Sequence, residues 1–559
     1  MTTIYTSKSG NNANSGLTLP LAKATAFDSG ANSGSYEAAA NGDTLLWDDG
    51  IYNGSEIDST GSLGYWNCSK SLTVSAINNG STTFRATGAV QSVLRASNVL
   101  TTGSVTFNGL VLDAQGTTSS ACEIGDITAA VNAAVTNCSI KTGSGYGLVT
   151  FMRRNTLNVS NISIEGSCST AGFASTSSLG NIASAPCTIN ITSVRLDLSI
   201  GSGSADIPGI VLARATSPLS AVNVAIDTVY GSVTGSATNG AVGILLKNID
   251  SAVVNGDGGK TLTINSTSAA DESYGINVYG VSTARADNPV LKGKGQRIEF
   301  FAPSGRGIVI GGSGLTDGYC TGGVVSGWRV YGKYYASDTP HGIVLGVKAT
   351  GAVVGCDVHD IYAAYLMSIT DSGAIFQNVR AFDAYGSAFY SKGVTAGKWL
   401  GCAAYITGAN QQRLLATIHV DGQAGTNTAA VTYDGCMVVL GTDDLAKITR
   451  LFAAKVNCAF TMTNCTFIIP DTISDSAGLF TVGSTVEGSY TGGTDYTAAQ
   501  WESGTAGSVS ATNGTATVSV SGCKVIKLPL SVCRKIISGA NPQTGIPCIE
   551  VAPGVVVPV

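Results

Sequence analysis

Two stretches in the second half of the chain, VVGCDVHDIY (Val353–Tyr362) and FQNVRAFDAY (Phe376–Tyr385), carry the same pattern 23 residues apart. In each stretch a Gly or Asn, Gly355 or Asn378, precedes a core-type residue inside an apolar alternation. Alternation with a period of two is typical of β-strands. The pattern therefore predicts short strands that recur at a fixed phase.

The same phase recurs along much of the chain. Its Gly or Asn positions are Asn137, Asn161, Gly327, Gly355, Asn378, Gly401, Gly435, Asn464 and Gly522. From Gly327 onward the gaps are 28, 23, 23, 34, 29 and 58 residues, the last wide enough for two turns. A second series, GIVLAR, GILLKN, GINVYG, GIVIGG and GIVLGV, begins at Gly209, Gly243, Gly275, Gly307 and Gly342. Two short strands that recur every 23 to 35 residues predict the coils of a parallel β-helix.

The composition favours an all-β fold. Of 559 residues, 44% are hydrophobic and 12% are charged, and the chain has 71 Gly but 13 Pro. Gly, Ser, Thr and Asn form turns and are poor helix formers. A solenoid core lengthens by adding repeats, so one core can serve a chain longer than a globular domain. We predict a right-handed, single-stranded parallel β-helix over residues 45–525, an N-terminal strand, loop and short cap over 1–44, and a closing segment over 526–559.

Cysteine positions support this repeat. Of 14 cysteines, six directly follow the Gly or Asn of the repeat: Cys138, Cys356, Cys402, Cys436, Cys465 and Cys523. Equivalent positions on successive coils of a β-helix lie ~4.8 Å apart, so these side chains would stack inward as small apolar groups. We predict that they are buried, unpaired and structural, which fits synthesis in a reducing cytosol.

Charge and terminal sequence exclude several classes of function. The net charge is −5 and no basic run could follow a phosphate backbone, so nucleic-acid binding is not expected. The segment MTTIYTSKSG lacks the features of a signal peptide, and no apolar stretch approaches the ~20 residues of a membrane span. We therefore expect no signal peptide and no membrane insertion. No cofactor and no resident metal ion are expected either.

Two terminal segments resemble a known family. IYTSKSGNNANSG (Ile4–Gly16) followed by NGDTLLWDDGIY (Asn41–Tyr52) resembles the entry into right-handed parallel β-helix proteins of the pectin-lyase-like type, and TDYTAAQWESG (Thr494–Gly504) resembles their closing segment. One departure is SGANSGS (Ser29–Ser35), which interrupts the region where the family places an amphipathic capping helix, so an irregular cap is expected.

Without a signal peptide, such a Gly/Ser/Thr-rich β-helix resembles a bacteriophage tailspike or tail-fibre protein more than a secreted lyase. The resemblance implies a homotrimer, made in the host cytoplasm and placed in the virion tail with other tail or baseplate proteins. It also implies binding, and in many members cleavage, of a bacterial surface polysaccharide. It supplies no catalytic motif.

Strand alternation predicts two columns of outward side chains. If Cys356 and Val358 point inward, their neighbours Asp357 and His359 point outward. Aligned coils then give a charged column and an aromatic column: Arg329, Asp357 and Arg380 in the first, and Tyr331, His359, Phe382 and Tyr405 in the second. The aromatic column could bind the apolar faces of sugars, or it could form the contact between subunits of a trimer.

Candidate catalytic residues follow from the same alignment. Asp360 aligns with Asp383 on the next coil, ~5 Å away, where two carboxyls can serve in acid/base hydrolysis of a glycosidic bond. Asp357 is the third candidate. The alternative is that Asp360 and Asp383 only stabilise turns, and a Ca²⁺ site built from the three is a further alternative. A loop after Gly401 that contains Arg413 is expected to contact the glycan.

Three functional hypotheses remain. The chain is a tailspike that recognises and depolymerises a bacterial surface polysaccharide, a binding or structural fibre of the same fold without activity, or a free-standing polysaccharide lyase. Hydrolysis and lyase chemistry are not separated by the sequence.

Overall fold

A computed structural model describes most of the chain. The described residues are 2–28, 32–57, 66–86, 92–96, 103–115, 120–124, 131–142, 144–150, 155–175, 186–200, 207–214, 220–236, 238–269, 272–281, 286–312, 318–335, 339–368, 373–394, 396–409, 416–422, 429–445, 447–448, 450–474, 478–484, 490, 492–511, 514–540, 548–552 and 555–558. The chain divides into two units, Met1–Asp287 and Asn288–Val559.

The described part of the first unit contains strands of two to 14 residues and two single-turn helices. The strands are β1 Thr3–Thr6, β2 Thr44–Trp47, β3 Gly50–Asn53, β4 Trp66–Cys68, β5 Thr73–Ala76, β6 Thr82–Arg85, β7 Ser92–Ala96, β8 Gly103–Asn108, β9 Leu110–Asp113, β10 Ser120–Ile124, β11 Val131–Thr136, β12 Ser139–Lys141, β13 Tyr146–Thr150, β14 Asn155–Cys168, β15 Ala171–Ser175, β16 Cys187–Ile200, β17 Ile207–Ala213, β18 Val222–Thr234, β19 Ala241–Lys247, β20 Ser251–Asn255, β21 Thr261–Asn265, β22 Ser273–Tyr279 and β23 Ala286–Asp287. The helices are α1 Ser35–Ala38 and α2 Gly54–Ile57, and a 3₁₀ turn covers Leu19–Leu21.

The second unit also consists mainly of strands and includes a longer helix near its C-terminal end. Its strands are β24 Val290–Lys292, β25 Arg297–Phe301, β26 Gly305–Ile310, β27 Cys320–Ser326, β28 Arg329–Tyr331, β29 His341–Leu345, β30 Ala349–Val354, β31 Asp357–His359, β32 Ala363–Ser368, β33 Ala374–Gln377, β34 Arg380–Phe382, β35 Ser387–Lys392, β36 Gly397–Leu400, β37 Ala403–Ile406, β38 Ile418–Asp421, β39 Ala429–Asp434, β40 Met437–Leu440, β41 Phe452–Lys455, β42 Cys458–Thr463, β43 Thr466–Pro470, β44 Phe480–Ser484, β45 Thr494–Tyr496, β46 Thr505–Ala511, β47 Gly514–Ser521, β48 Lys524–Leu528, β49 Cys548–Ala552 and β50 Val555–Pro558. The helices are α3 Ala498–Glu502 and α4 Leu530–Ala540.

Strand pairing within each unit is that of a parallel solenoid. From β24 to β44 each coil contributes three strands, and a strand pairs in parallel with the one three places further along the chain. Thus β30 pairs with β33, β31 with β34 and β32 with β35. In the first unit the strands β14, β16 and β18 are long and pair in the same parallel manner. The predicted all-β parallel solenoid is confirmed.

A left-handed backbone bend explains the repeated Gly or Asn. All nine positions of the repeat have positive φ, from 51° at Asn161 and Asn378 to 64° at Gly327. Gly and Asn adopt this region at the lowest cost, and the bend turns the chain from one short strand into the next. The Gly or Asn that recurs in the sequence therefore marks the position of this bend in each coil.

The residue after each bend points into the coil. The six cysteines of the repeat are buried and unpaired, as predicted. The thiols of Cys402, Cys436, Cys465 and Cys523 contact one another in that order on successive coils. Each also donates to a backbone carbonyl of the preceding coil, for example the Cys402 Sγ to the Phe376 oxygen at 3.4 Å. The column fills this part of the core with small, weakly polar side chains.

The described N-terminal residues form a strand, a loop and a short helix. Strand β1 pairs in parallel with β2, so the first residues already belong to the sheet. Among the described residues of this region, the α-helix covers Ser35–Ala38. The buried Lys23 ammonium donates to the carbonyls of Asn12, Asn14 and Ser33 at 2.7 to 3.0 Å, which fixes the loop between them.

Candidate functional site

The two outward columns predicted from the sequence have the predicted register. Arg329, Asp357, Arg380 and Ala403 are paired across successive strands, as are Tyr331, His359, Phe382 and Tyr405. Cys356 and Val358, which alternate with Asp357 and His359, lie in the core. Strand alternation therefore placed every one of these side chains correctly on its strand.

The second column forms a continuous ring stack, here defined as Tyr331, His359, Phe382 and Tyr405. Ring centroids lie 4.3, 4.4 and 5.0 Å apart in order along the stack, with interplanar angles of 8°, 7° and 15°. The guanidinium of Arg297 lies 4.0 Å from the centre of the Tyr331 ring at one end. Stacked rings and a cation over a ring face are favourable contacts in a parallel sheet.

The expectation that this stack faces solvent is wrong. Tyr331 is 8% exposed, and His359, Phe382 and Tyr405 are each 4% exposed. Helix α4 packs its apolar face, Cys533, Ile536, Ile537 and Ala540, against Phe382, Ala403 and Tyr405. Alternation gives the direction of a side chain relative to its own coil, and it carries no information about a later segment that covers that face. The stack is neither an open sugar platform nor a subunit contact at the part that α4 covers.

The charged column is an ion-pair network. The Arg380 guanidinium donates to both carboxylate oxygens of Asp357 at 2.7 and 2.8 Å, and Arg329 lies 3.9 Å from the same carboxylate. Arg380 also donates to the backbone carbonyl of Ala540 at 3.2 Å. Asp357 is buried, so its carboxylate serves to neutralise and orient these arginines.

The surroundings keep His359 neutral. Burial, and then the nearby charges of Arg380, Arg297 and Arg329, lower its pKa to about 3. Its Nε2 atom is buried and has no hydrogen-bond partner within the described part of the chain. A neutral ring that stacks between Tyr331 and Phe382 is a packing element, and this geometry gives it no route to a substrate proton.

Asp360 and Asp383 occupy equivalent turns on adjacent coils. Both have left-handed backbones, with φ of 52° and 50°. Their amides donate to the carbonyls of Phe382 and Tyr405 at 3.0 and 2.9 Å. The Asp383 carboxylate accepts hydrogen bonds of 2.7 Å from both the amide and the hydroxyl of Thr407, and burial raises its pKa. These contacts match the turn-stabilising alternative, and the proposed catalytic role of the pair stays a prediction. Arg413, the loop residue expected to contact the glycan, lies outside the described residues.

A different site stands out in the first unit. An open groove of about 920 Å³, here called the charged groove, crosses successive coils. One outward position on each coil supplies its charges, and strand pairing places these residues in the order Arg85, Asp113, Lys141, Glu165 and Asp197. The groove crosses six neighbouring strands: β6, β9, β12, β14, β16 and β18. At ~4.8 Å between strands, its length is roughly 24 Å.

The two ends of the charged groove differ in their contacts. At one end Asp113 is buried and paired with Arg85 at 3.2 Å, and Gln115 donates to it from its amide and its side chain. At the other end the Glu165 carboxylate makes no hydrogen bond or ion pair within the described part of the chain. Asp197 is exposed and lies 3.6 Å from Arg195. Glu165 and Asp197 are thus open carboxylates on neighbouring strands.

The sequence contained a signal for this groove that the repeat search missed. Glu165 lies four residues after the bend at Asn161, which is the position of His359 after Gly355. On the next coil the bend residue is Ser193, with φ of 56°, and Asp197 follows it by four. The repeat pattern has Gly or Asn at the bend, and the coil that supplies Asp197 has a serine there, so the pattern does not include this coil.

Comparison with protein-family models and with curated proteins finds no match to this chain. Within the described residues, no group of three or more His, Cys, Asp or Glu side chains is arranged to hold a metal ion. None of the described helices has the length and apolar character needed to cross a membrane.

Proposed function

We propose that this chain is a tailspike-type solenoid that binds a bacterial surface polysaccharide along the charged groove and hydrolyses it there. The observation that carries the proposal is the pair Glu165 and Asp197, two open carboxylates on neighbouring coils in a large groove. A polymer laid across the coils would contact one side chain from each coil in turn, because the groove runs perpendicular to the strands.

The pairing of these carboxylates fits glycoside hydrolysis. Neighbouring strands lie ~4.8 Å apart, close to the ~5 Å separation of the two carboxyl groups in retaining glycosidases. One carboxylic acid would give its proton to the glycosidic oxygen while the other carboxylate bonds to the anomeric carbon. Water would then cleave that glycosyl ester, returning its proton to the first carboxylate.

Cationic side chains support binding in the same groove. Lys141 is paired across strands with both Asp113 and Glu165, so the charges alternate from Arg85 to Glu165. Alternating donors and acceptors suit a polymer that presents hydroxyl groups along its length. Assembly as a homotrimer, a place in the virion tail and contact with other tail or baseplate proteins are proposed from the family resemblance alone.

Product analysis with matched variants tests the catalytic proposal. Full-length protein is incubated with capsule and lipopolysaccharide from a panel of bacteria, and new reducing ends and unsaturated sugars are measured. Glu165→Gln and Asp197→Asn should each lower the formation of reducing ends ~100-fold or more and leave binding intact. The control is Asp227→Asn, an exposed carboxylate of β18 outside the groove.

Each alternative function has a distinct result in the same assay. Binding without any product would favour the non-catalytic fibre. Unsaturated sugars would favour a lyase. Cleavage by both groove variants at the wild-type rate would contradict the assignment of this pair.

A further inference from the structure

A second, smaller groove lies on the same strands as the charged groove. It has a volume of about 380 Å³ and is lined in part by Asn137, Ser139, Asn161, Ser163, Arg195 and Tyr230. Strand pairing places Ser139, Ser163, Arg195 and Tyr230 at one outward position on four successive coils. We call it the hydroxyl groove.

The two grooves are adjacent because the same strands supply residues to both. Positions two and four residues after a bend both point outward, so Arg195 and Asp197 stand side by side on β16. Their ion pair of 3.6 Å forms the ridge between the two grooves. Both side chains are more than half exposed, at 57% and 60%, so this pair is weak and Arg195 can exchange its partner.

The lining of the hydroxyl groove differs from that of the charged groove in its charge. Among the described residues that line it, Arg195 is the one charged side chain, and the others are Gly80, Cys138, Ile162, Tyr230 and serine and asparagine residues. A second cation lies next to it, because the Lys260 ammonium is 4.5 Å from the centre of the Tyr230 ring. The amide of Asn137 donates to Asn108 at 2.9 Å, so the amide row is held in place.

We propose that the hydroxyl groove is the subsite for an anionic sugar residue of the polysaccharide. The Arg195 guanidinium pairs with the sugar carboxylate, Tyr230 supplies a ring for the apolar face of the sugar, and the serine and asparagine side chains bind its hydroxyl groups. The inference rests on the proposed function and deepens it, because it names an acidic polysaccharide as the substrate class. The open carboxylates of Glu165 and Asp197 at one end of the charged groove would repel such a residue, whereas the hydroxyl groove has no carboxylate in its described lining to do so.

Carboxyl reduction of the polysaccharide provides the test. The probes are purified bacterial capsular and O-antigen polysaccharides of known composition, neutral and acidic, immobilised as an array. Each acidic polymer is also presented after chemical reduction of its carboxyl groups to alcohols, which leaves the sugar rings unchanged. Wild-type protein should bind acidic polymers and lose at least 10-fold in affinity for their reduced forms, with binding that weakens as salt is raised.

Substitutions in the hydroxyl groove test whether this groove causes the preference for acidic polymers. Arg195→Ala should abolish the preference for acidic polymers, Arg195→Lys should retain part of it, and Tyr230→Phe should bind better than Tyr230→Ala. The control is Lys524→Ala, which removes an exposed positive charge from the second unit. Equal binding to native and reduced polymers, or an unchanged preference in Arg195→Ala, would overturn the subsite while leaving the proposed function standing. Binding to no polysaccharide would overturn both.

Discussion

The Arg380 guanidinium holds the Asp357 carboxylate through two hydrogen bonds and reaches, with the same group, the carbonyl of Ala540, 160 residues further along the chain. This contact joins an ion pair on the coil to the end of helix α4. A cation at the C-terminal carbonyls of a helix is a favourable contact. Arg380 therefore connects the ion pair on the strands to the C-terminal end of helix α4.

The first prediction concerns this link. Arg380→Ala should lower the free energy of unfolding by about 2 kcal/mol or more, because it leaves the buried Asp357 carboxylate without its bidentate partner. Asp357→Asn should cost less, because Arg380 is partly exposed and stays solvated. Denaturant unfolding of the two variants measures this order. Arg329→Ala, which removes a contact of 3.9 Å at an exposed side chain, is the control and should cost under about 1 kcal/mol. The reverse order would contradict the assigned role.

The second prediction concerns the cover of the ring stack. Ile537→Ala should destabilise the protein by about 2 to 4 kcal/mol, because Ile537 packs in the apolar cluster with Phe382 and Tyr405. The exposed Lys535→Ala on the same helix should change stability by less than about 0.5 kcal/mol. A chain that ends at Leu528 should bind an apolar dye more strongly than the full chain, since the stack becomes exposed. Unchanged dye binding would mean that α4 is not the cover.

The third prediction is acid lability. Burial lowers the pKa of His359 and of His419 from 6.5 to about 3, assisted at His359 by Arg380, Arg297 and Arg329 and at His419 by Lys455 and Lys392. As pH falls below about 6.5 the unfolded chain binds a proton at each site and the folded chain does not, so stability is lost. Each histidine contributes a slope of about 1.4 kcal/mol per pH unit between pH 6.5 and about 3.

The variant His359→Phe isolates one of these contributions. A phenyl ring preserves the stack between Tyr331 and Phe382 and does not titrate. Unfolding measured from pH 7.5 to pH 4 should show a shallower loss of stability in the variant, by about 1.4 kcal/mol per pH unit. A slope equal to that of the wild-type chain would show that His359 is already protonated in the folded state.

The fourth prediction concerns the thiol column. The thiolate is the reactive form of cysteine, and burial raises the pKa of Cys138 to about 11 and of Cys356 to about 12. All six repeat cysteines are buried, so their thiols should fail to react with a thiol reagent in native protein at pH 8 and should react fully after unfolding. Mass spectrometry of the labelled peptides identifies each site. Rapid labelling of several of the six in native protein would contradict their inward orientation.

The fifth prediction separates two carboxylate pairs. The sequence favoured Asp360 and Asp383, and the groove geometry favours Glu165 and Asp197. If turn stabilisation is the role of the first pair, Asp360→Asn and Asp383→Asn should cleave polysaccharide at the wild-type rate. Loss of activity in these two variants, together with full activity in Glu165→Gln and Asp197→Asn, would move the active site to the second unit.

The fold could be predicted from the sequence because the residues that specify each coil lie close together in the chain. A coil needs a residue that tolerates positive φ, a small inward residue after it, and alternation on the strands that follow, and all of these are visible within ten residues of Gly355. The same local rules gave the cross-strand order of Tyr331, His359 and Phe382, because in-register parallel pairing repeats one position from coil to coil.

The sequence by itself thus determined the strands, the bends, the inward cysteines and the neighbours of each outward side chain. Only the tertiary structure decided which outward faces remain open. Helix α4 covers Phe382 and Tyr405 through contacts with Ile536 and Ile537 more than 130 residues away, and such docking depends on the area buried between the surfaces rather than on any local period. Conversely, no described helix of this kind covers Glu165 and Asp197, and a bend at Ser193 instead of Gly or Asn concealed their alignment until the strands were paired.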